Sequence, residues 1–342
     1  MSARTGLRRL LDPPWRTLLA VGTLALLGAV AWLLWSPGTD LRDGSHDRGR
    51  NGIWLGHGWL GADEWYAKYD KEAEKARYRG ADPPRLLAER LRGHGITDVY
   101  PHVAPTLDDG RLPPVDEVQT RLFLDAMHGI RVIPWIGGAW GKQAFPDVVA
   151  WRRNLAVTAG QLLRRWPDLA GVQLNIEPCP SGSEAFLRLL EEVRAQMPAG
   201  KVLSVAAYPP PTVWHPYPEI HWEESYYAEV SARVDQLAVM MYDTALKEPK
   251  LYRSLMAQWT TEVIAWSGDA EVLLGVATYD DAGVGYHHPE VECLEHGLAG
   301  IHAGLEALEV VPERFAGVAI YCAWETDEAE WALLEQRWGR GP

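Results

Sequence analysis

Gln173, Asn175 and Glu177 stand two residues apart in Gly171-Val172-Gln173-Leu174-Asn175-Ile176-Glu177, with Val172, Leu174 and Ile176 alternating between and before them. Such alternation places the three polar groups on one face of a β-strand and the three apolar groups on the other. A carboxyl at the end of that strand, with a side-chain amide one step deeper, is the arrangement of a general acid and its orienting partner. Three polar groups on an inward face are costly to satisfy by packing alone. The pattern therefore reads first as a site, and second as a structural polar network or a glutamate that merely opens the loop at Pro178.

Other apolar runs also close on polar and aromatic groups. Met240-Met241-Tyr242-Asp243 ends one, Tyr279-Asp280-Asp281 another and Trp324-Glu325 a third, while Tyr208 precedes three prolines. Singly, each ring reads as core. Together with Trp54 in the first run and Trp135 in the third, they form an aromatic cup with acids at its rim. A sugar suits such a cup, because its C–H faces stack on rings while its hydroxyls require charged or amide partners. The chain has 17 Trp and 13 Tyr against 4 Phe, a bias toward rings with a polar handle. His57 and His102 follow the first two runs and read equally as sugar ligands or as hydrogen-bonded structural residues.

These residues need a scaffold that brings eight run ends to one place. The short apolar runs begin near Ile53, Asp98, Arg131, Gly171, Val202, Gln236, Val272 and Gly317, and amphipathic stretches such as Pro84–His94, Val115–His128, Asp147–Trp166, Glu184–Met197 and Pro289–Leu308 separate them. Strand and helix alternate about every 38 residues from Gly56 to Trp324. Eight such units over residues 52–340 predict an α/β protein with a (β/α)8 TIM barrel, whose chemistry sits at the C-terminal ends of the strands. A doubly wound sheet is the other alternating architecture, but no Gly-x-Gly-x-x-Gly or Gly-x-x-x-x-Gly-Lys stretch supports nucleotide binding.

Ahead of the barrel, Thr17–Trp35 runs 19 residues without a charge behind Arg4, Arg8, Arg9 and Arg16. That is long enough for a transmembrane helix. Its basic flank, residues 1–16, is expected in the cytoplasm, with the barrel outside. The reading is a signal anchor over 17–35 and a polar linker over 36–51, giving a single-pass membrane protein. A cleaved and secreted form is the alternative, since Ala29-Val30-Ala31 has the small-x-small form of a cleavage site.

The 342 residues carry 46 acidic and 33 basic side chains, a formal charge of −13, and the part beyond residue 35 carries −16. That acid excess, with no basic run after the N-terminus, argues against a nucleic-acid partner. Three cysteines, Cys179, Cys293 and Cys322, suggest neither a disulfide framework nor a zinc site, and leave room for one disulfide and a free thiol. No histidine pair has metal-site spacing, and Asp280-Asp281 reads as a solvated loop, so neither a metal nor a cofactor is expected.

Ala170-Gly171-Val172-Gln173-Leu174-Asn175-Ile176-Glu177 resembles a degenerate copy of the fourth-strand motif Asp-Gly-x-Asp-x-Asp-x-Glu of glycoside hydrolase family 18, the chitinases and their relatives. Trp135-Ile136-Gly137-Gly138 resembles the family's Ser-x-Gly-Gly, Met240-Met241-Tyr242-Asp243 its Met-x-Tyr-Asp, and Trp324 its final-strand tryptophan. The resemblance spans about residues 52–340. It implies a polysaccharide or oligosaccharide substrate containing N-acetylhexosamine, with Glu177 as acid/base, Tyr242 holding the acetamido group, Asp243 binding hydroxyls and Trp324 flooring the subsite. It also implies a substrate-assisted retaining mechanism without a protein nucleophile. Ala170, Gln173 and Asn175 stand where the family has aspartates. An Asn two before the acid is similar to endo-β-N-acetylglucosaminidases of family 85. Two alternatives accompany this reading. One is a non-catalytic glycan-binding protein of the same fold. The other is a two-carboxylate retaining glycosidase using Asp243, Asp280 or Glu325 about 5–5.5 Å from Glu177.

Overall fold

A computed structural model describes residues 14–103, 105–213, 215–281, 283 and 285–339. The chain divides into two units, residues 1–37 and 38–342. Among the described residues, the first contains one helix, α1 (Pro14–Leu34), 21 residues long. Within α1, Thr17–Leu34 is apolar and long enough to cross a bilayer, and none of it is buried against protein. The expected basic flank at Arg4, Arg8 and Arg9 lies outside the described residues. Of residues 36–51, expected as linker, 38–50 form no helix or strand, yet the second unit holds them, and Asn51 already opens its first strand. Thr39 N–H donates to Ala299 O, and Arg48 donates to the carbonyls of Val311 and Pro312.

Among the described residues, the second unit contains nine strands. These are β1 (Asn51–Leu55), β2 (Ile96–Pro101), β3 (Arg131–Val132), β4 (Trp135–Ala139) and β5 (Gly171–Glu177), then β6 (Val202–Ala207), β7 (Gln236–Val239), β8 (Glu271–Ala277) and β9 (Phe315–Tyr321). The helices are α2 (Asp63–Lys68), α3 (Asp82–Gly93), α4 (Glu117–Ala126), α5 (Val149–Arg165), α6 (Glu184–Gln196), α7 (Glu224–Ser231), α8 (Pro249–Trp266), α9 (Leu294–Glu306) and α10 (Glu328–Arg337). All strand pairs are parallel, in the order β3-β2-β1-β9-β8-β7-β6-β5-β4. The two ends of that order, β3 and β4, are pieces of one stretch interrupted at Ile133-Pro134. Proline has no N–H for a ladder, so the third expected run splits there. Hydrogen bonding nevertheless continues on both sides, Ile133 N–H to Val99 O and Gln173 N–H to Pro134 O. Eight runs thus become nine strands in a curled, TIM-barrel-like parallel sheet.

Two apolar layers hold this sheet. The outer one packs helices onto it through residues such as Leu155, Leu190, Trp259 and Ile301. The inner one combines small Ala206, Ala238, Ala316 and Ala319 with the large Trp54, Tyr100, Tyr242 and Tyr279. The size alternation lets rings fill the interior.

At the strand N-terminal ends a polar plug closes the base. Arg131 forks onto both oxygens of Asp98 at 2.6 Å and reaches Glu271 at 2.5 Å, while Gln236 donates to Asp98 and Glu271 and accepts from Tyr100. Burial raises the Asp98 pKa against the lowering effect of Arg131. Removing this fully buried carboxylate strands Arg131 and Gln236. Asp98→Ala is expected to destabilise the fold by about 3 kcal/mol, the low end for a broken buried pair because water still reaches Arg131. Urea unfolding monitored by tryptophan fluorescence measures it, and a loss under 1 kcal/mol would remove the plug from the account of stability. The three cysteines are free thiols, so the disulfide that composition allowed does not form.

Candidate active site

The site is assembled where β4 lies against β5. Gly137 pairs with Asn175, Gly138 with Ile176 and Ala139 with Glu177. Gly137 has φ +130, and a Cβ there would meet the Asn175 carbonyl oxygen at 2.2 Å. Only glycine permits both the conformation and the close approach. The Gly-Gly step therefore sets how closely β4 can support the acid-bearing strand.

Along β5 the alternating face points into the curl of the sheet as its pattern requires. Gln173 is fully buried; its Oε1 accepts the Trp54 indole N–H at 2.7 Å and its amide donates to Ser204 Oγ at 3.1 Å. Gln173 thus holds a ring of the cup from below instead of facing the cavity. One step outward, Asn175 is buried, and its Oδ1 has no hydrogen-bond partner. Glu177 ends the strand. Water reaches its side chain through the cavity mouth, while protein atoms crowd the carboxyl from the other directions. That crowding raises its pKa above the ordinary carboxyl value. Hydrogen bonding from Asn175 and Tyr208 opposes the shift, and the charge of Asp243 adds to it.

A cavity of about 360 Å³ brings together Trp54, Asn175, Glu177, Tyr242, Asp243, Tyr279 and Trp324, all expected from the sequence. Tyr208 stands beside Glu177 without lining the cavity. Trp135 is also outside it, stacked on His102 with ring centroids 3.9 Å apart and donating its indole N–H to Leu55 O. Tyr286 and Tyr321 are lining residues that the sequence reading did not single out. Tyr321 stacks parallel on Tyr242 at 5.2 Å. It is the last residue of β9, so a strand end placed at 321 instead of 324 would have marked it. Tyr286 comes from a loop with no periodic signal.

A larger cavity of about 750 Å³, lined by His57, Trp65, Tyr69 and Thr106 among others, is formed by the loops after β1 and β2. The strand-end carboxyl with the raised pKa lines the smaller cavity, which makes that cavity the candidate active site.

At the rim, Asp243 accepts a short hydrogen bond from Tyr279 OH, and Tyr279 stacks on His287 at 3.9 Å. Asp243, His287 and Glu292 each present a ligand atom, all within 4.8 Å of one another. Sequence spacing offered no hint of this group, because its members come from two separate loops. Burial is the main force on Glu292, pushing it up to about 7.

A parallel TIM-barrel-like sheet with a carboxyl ending β5 beside an aromatic cavity is an arrangement that fits a glycoside hydrolase. The sequence profile "Glycosyl hydrolases family 18" matches residues 116–284, and over that stretch the chain is similar to this family of glycoside hydrolases. Among solved structures, the spore cortex-lytic enzyme SleL of Bacillus cereus aligns with TM-score 0.55 and 11% identity over 86% of this chain and 76% of that one. The chitinase of Chromobacterium violaceum aligns with TM-score 0.54 and 12% identity, over 84% and 98%. A family 18 chitinase of Pseudoalteromonas aurantia gives 0.53 and 15%, over 84% and 99%. Identities this low establish the shared fold, while function rests on the site. No curated protein matches the sequence.

Proposed function

We propose that the protein is a membrane-anchored, extracytoplasmic glycoside hydrolase that cleaves an N-acetylhexosamine-containing glycan by a substrate-assisted retaining mechanism within a closed (β/α)8 barrel. The observation that carries this reading is the buried, unpartnered Oδ1 of Asn175 beside Glu177. An acceptor left open in the bottom of an aromatic cavity is matched by the N–H of a substrate acetamido group.

Glu177, whose pKa its surroundings raise, gives its proton to the leaving glycosidic oxygen as the C1–O bond breaks. The acetamido carbonyl oxygen attacks the anomeric carbon from the opposite face, and Asn175 Oδ1 holds the acetamido N–H as positive charge develops. Tyr242, whose hydroxyl burial keeps protonated, steadies the same group. Glu177, now a carboxylate, then takes a proton from the water that opens the cyclic intermediate and restores the configuration. Trp324, Tyr321 and Trp54 supply ring faces, and Asp243 meets hydroxyls at the rim. For the anchor, the support is α1, apolar and unburied, behind a basic N-terminus.

The test is hydrolysis of chitin oligomers, peptidoglycan fragments and N-acetylgalactosamine-containing oligomers by the full chain in detergent, read by mass spectrometry. Cleavage is expected only of substrates bearing an N-acetyl group at the cleaved unit. Binding with no cleavage anywhere would replace this reading with the non-catalytic glycan receptor. Fractionation of expressing cells tests the anchor, which fails if the full chain is recovered soluble after gentle lysis.

A further inference from the structure

The loop after β7 and the segment before α9 meet in a way that hydrolysis does not require. Asp243 and Ala245 have φ +62 and +56, left-handed conformations that cost energy for residues other than glycine. Hydrogen bonds hold the loop there: Thr244 N–H donates to Glu292 Oε2 at 2.8 Å and Ala245 N–H to Tyr286 O at 2.8 Å. The result aims the carboxylates of Asp243 and Glu292 at the imidazole of His287, which is fully buried. His287 Nε2 lies 2.9 Å from the Tyr279 carbonyl, so Nε2 carries the proton. In the neutral imidazole Nδ1 is then a lone pair; it makes no hydrogen bond of normal geometry and lies 3.3 Å from Asp243 Oδ1 and 4.0 Å from Glu292 Oε2.

We propose that Asp243, His287 and Glu292 form a binding site for one divalent transition-metal cation, of the Zn²⁺ or Mn²⁺ kind. Three acceptor atoms face one another, and among the described residues no Lys or Arg is ion-paired with any of them. A proton on Nδ1 bridges to Asp243 but leaves buried Glu292 4.0 Å away, whereas a divalent ion neutralises both carboxylates and uses all three lone pairs. The imidazole favours a first-row transition metal over Ca²⁺ or Mg²⁺, which prefer oxygen alone. The supporting shell is present. A backbone carbonyl fixes the His287 tautomer, the Tyr279 hydroxyl orients Asp243, and the Thr244 N–H orients Glu292. Asp243 lines the cavity and is partly exposed, which gives the ion an entry path and leaves a coordination position toward bound sugar hydroxyls. This site stands on its own geometry and does not depend on the hydrolase reading.

The experiment is titration of the chelator-stripped full chain in detergent with ZnCl2 alone, by calorimetry and equilibrium dialysis with metal analysis. One Zn²⁺ per chain is expected. His287→Gln and the near-isosteric Glu292→Gln should each weaken binding by at least about 10-fold, with Asp280→Asn unchanged as a surface control. Should the variants misfold, Co²⁺ absorption on the unmodified protein reads the donor set: an intense visible band displaced by one equivalent of Zn²⁺ supports the site. Absence of stoichiometric binding, or binding indifferent to Glu292→Gln in a folded variant, overturns it and leaves a proton as the occupant.

Discussion

Glu177→Gln is expected to lower kcat by about 10²–10⁴-fold while leaving KM for N-acetylated oligomers near its original value, because the change removes a transferable proton and keeps the shape. Stability should move the other way. The folded-state pKa of Glu177 is raised, chiefly by burial. The favourable contribution of its protonated form is therefore complete below the ordinary carboxyl range and is lost as pH rises through the raised folded pKa. At neutral pH glutamine is free of that penalty, so the variant should melt no lower than the parent, and the difference should vanish on acidification. Because water reaches the side chain, the gain is small. The pH profile gives a second check. Tyr208 hydrogen bonding lowers the Glu177 pKa, so Tyr208→Phe should move the alkaline limb of kcat/KM to higher pH. An unchanged hydrolysis rate in Glu177→Gln would sink the catalytic assignment.

The β5 residues were legible because alternation is a local rule: two-residue spacing fixes a face, whatever the rest of the chain does. The Gly137-Gly138 step was legible as a motif, though its cause, the approach of the Asn175 carbonyl, required the neighbouring strand. Elsewhere tertiary contacts overrode local signals. Apolar periodicity suggested a helix from Pro289, but α9 begins at Leu294. The residues before it are spent on the β7 loop and on their own turn, since Glu292 accepts from Thr244 N–H and from His288 N–H. Several apolar runs outlast their strands, most consequentially at three site residues. Tyr242, Tyr279 and Trp324 lie just beyond β7, β8 and β9, because the apolar run continues into the loop that presents the ring. Gln173 and Trp135 show the limit of composition. An inward amide and a tryptophan beside the mouth look like ligands for sugar, yet each has a partner inside the protein, Trp54 and Ser204 for one, His102 and Leu55 O for the other.

Asn175→Ala is the second substitution with a large expected effect. The position differs from the aspartate of the resembling motif, and the difference defines what the residue can do. An amide oxygen can accept the acetamido N–H, but it brings no charge to stabilise the cation that forms as the carbonyl oxygen closes on the anomeric carbon. Its value lies in being placed beforehand: it is buried, partnerless on Oδ1 and close enough to Glu177 to lower that carboxyl's pKa. Removing one such preorganised contact costs about 10²–10³-fold in kcat. Two consequences separate this role from simple packing. The loss should fall on N-acetylated substrates and not on any residual cleavage of de-N-acetylated ones. The alkaline limb should also rise, since Asn175 no longer lowers the Glu177 pKa. Asn175→Asp keeps the acceptor and adds the missing charge, so its rate on N-acetylated oligomers should equal or exceed the parent's. The added carboxylate beside Glu177 should raise the pKa of the acid further. If Asn175→Ala slows N-acetylated and de-N-acetylated substrates alike, the acetamido group is not the nucleophile, and the mechanism must use a second carboxylate of the protein.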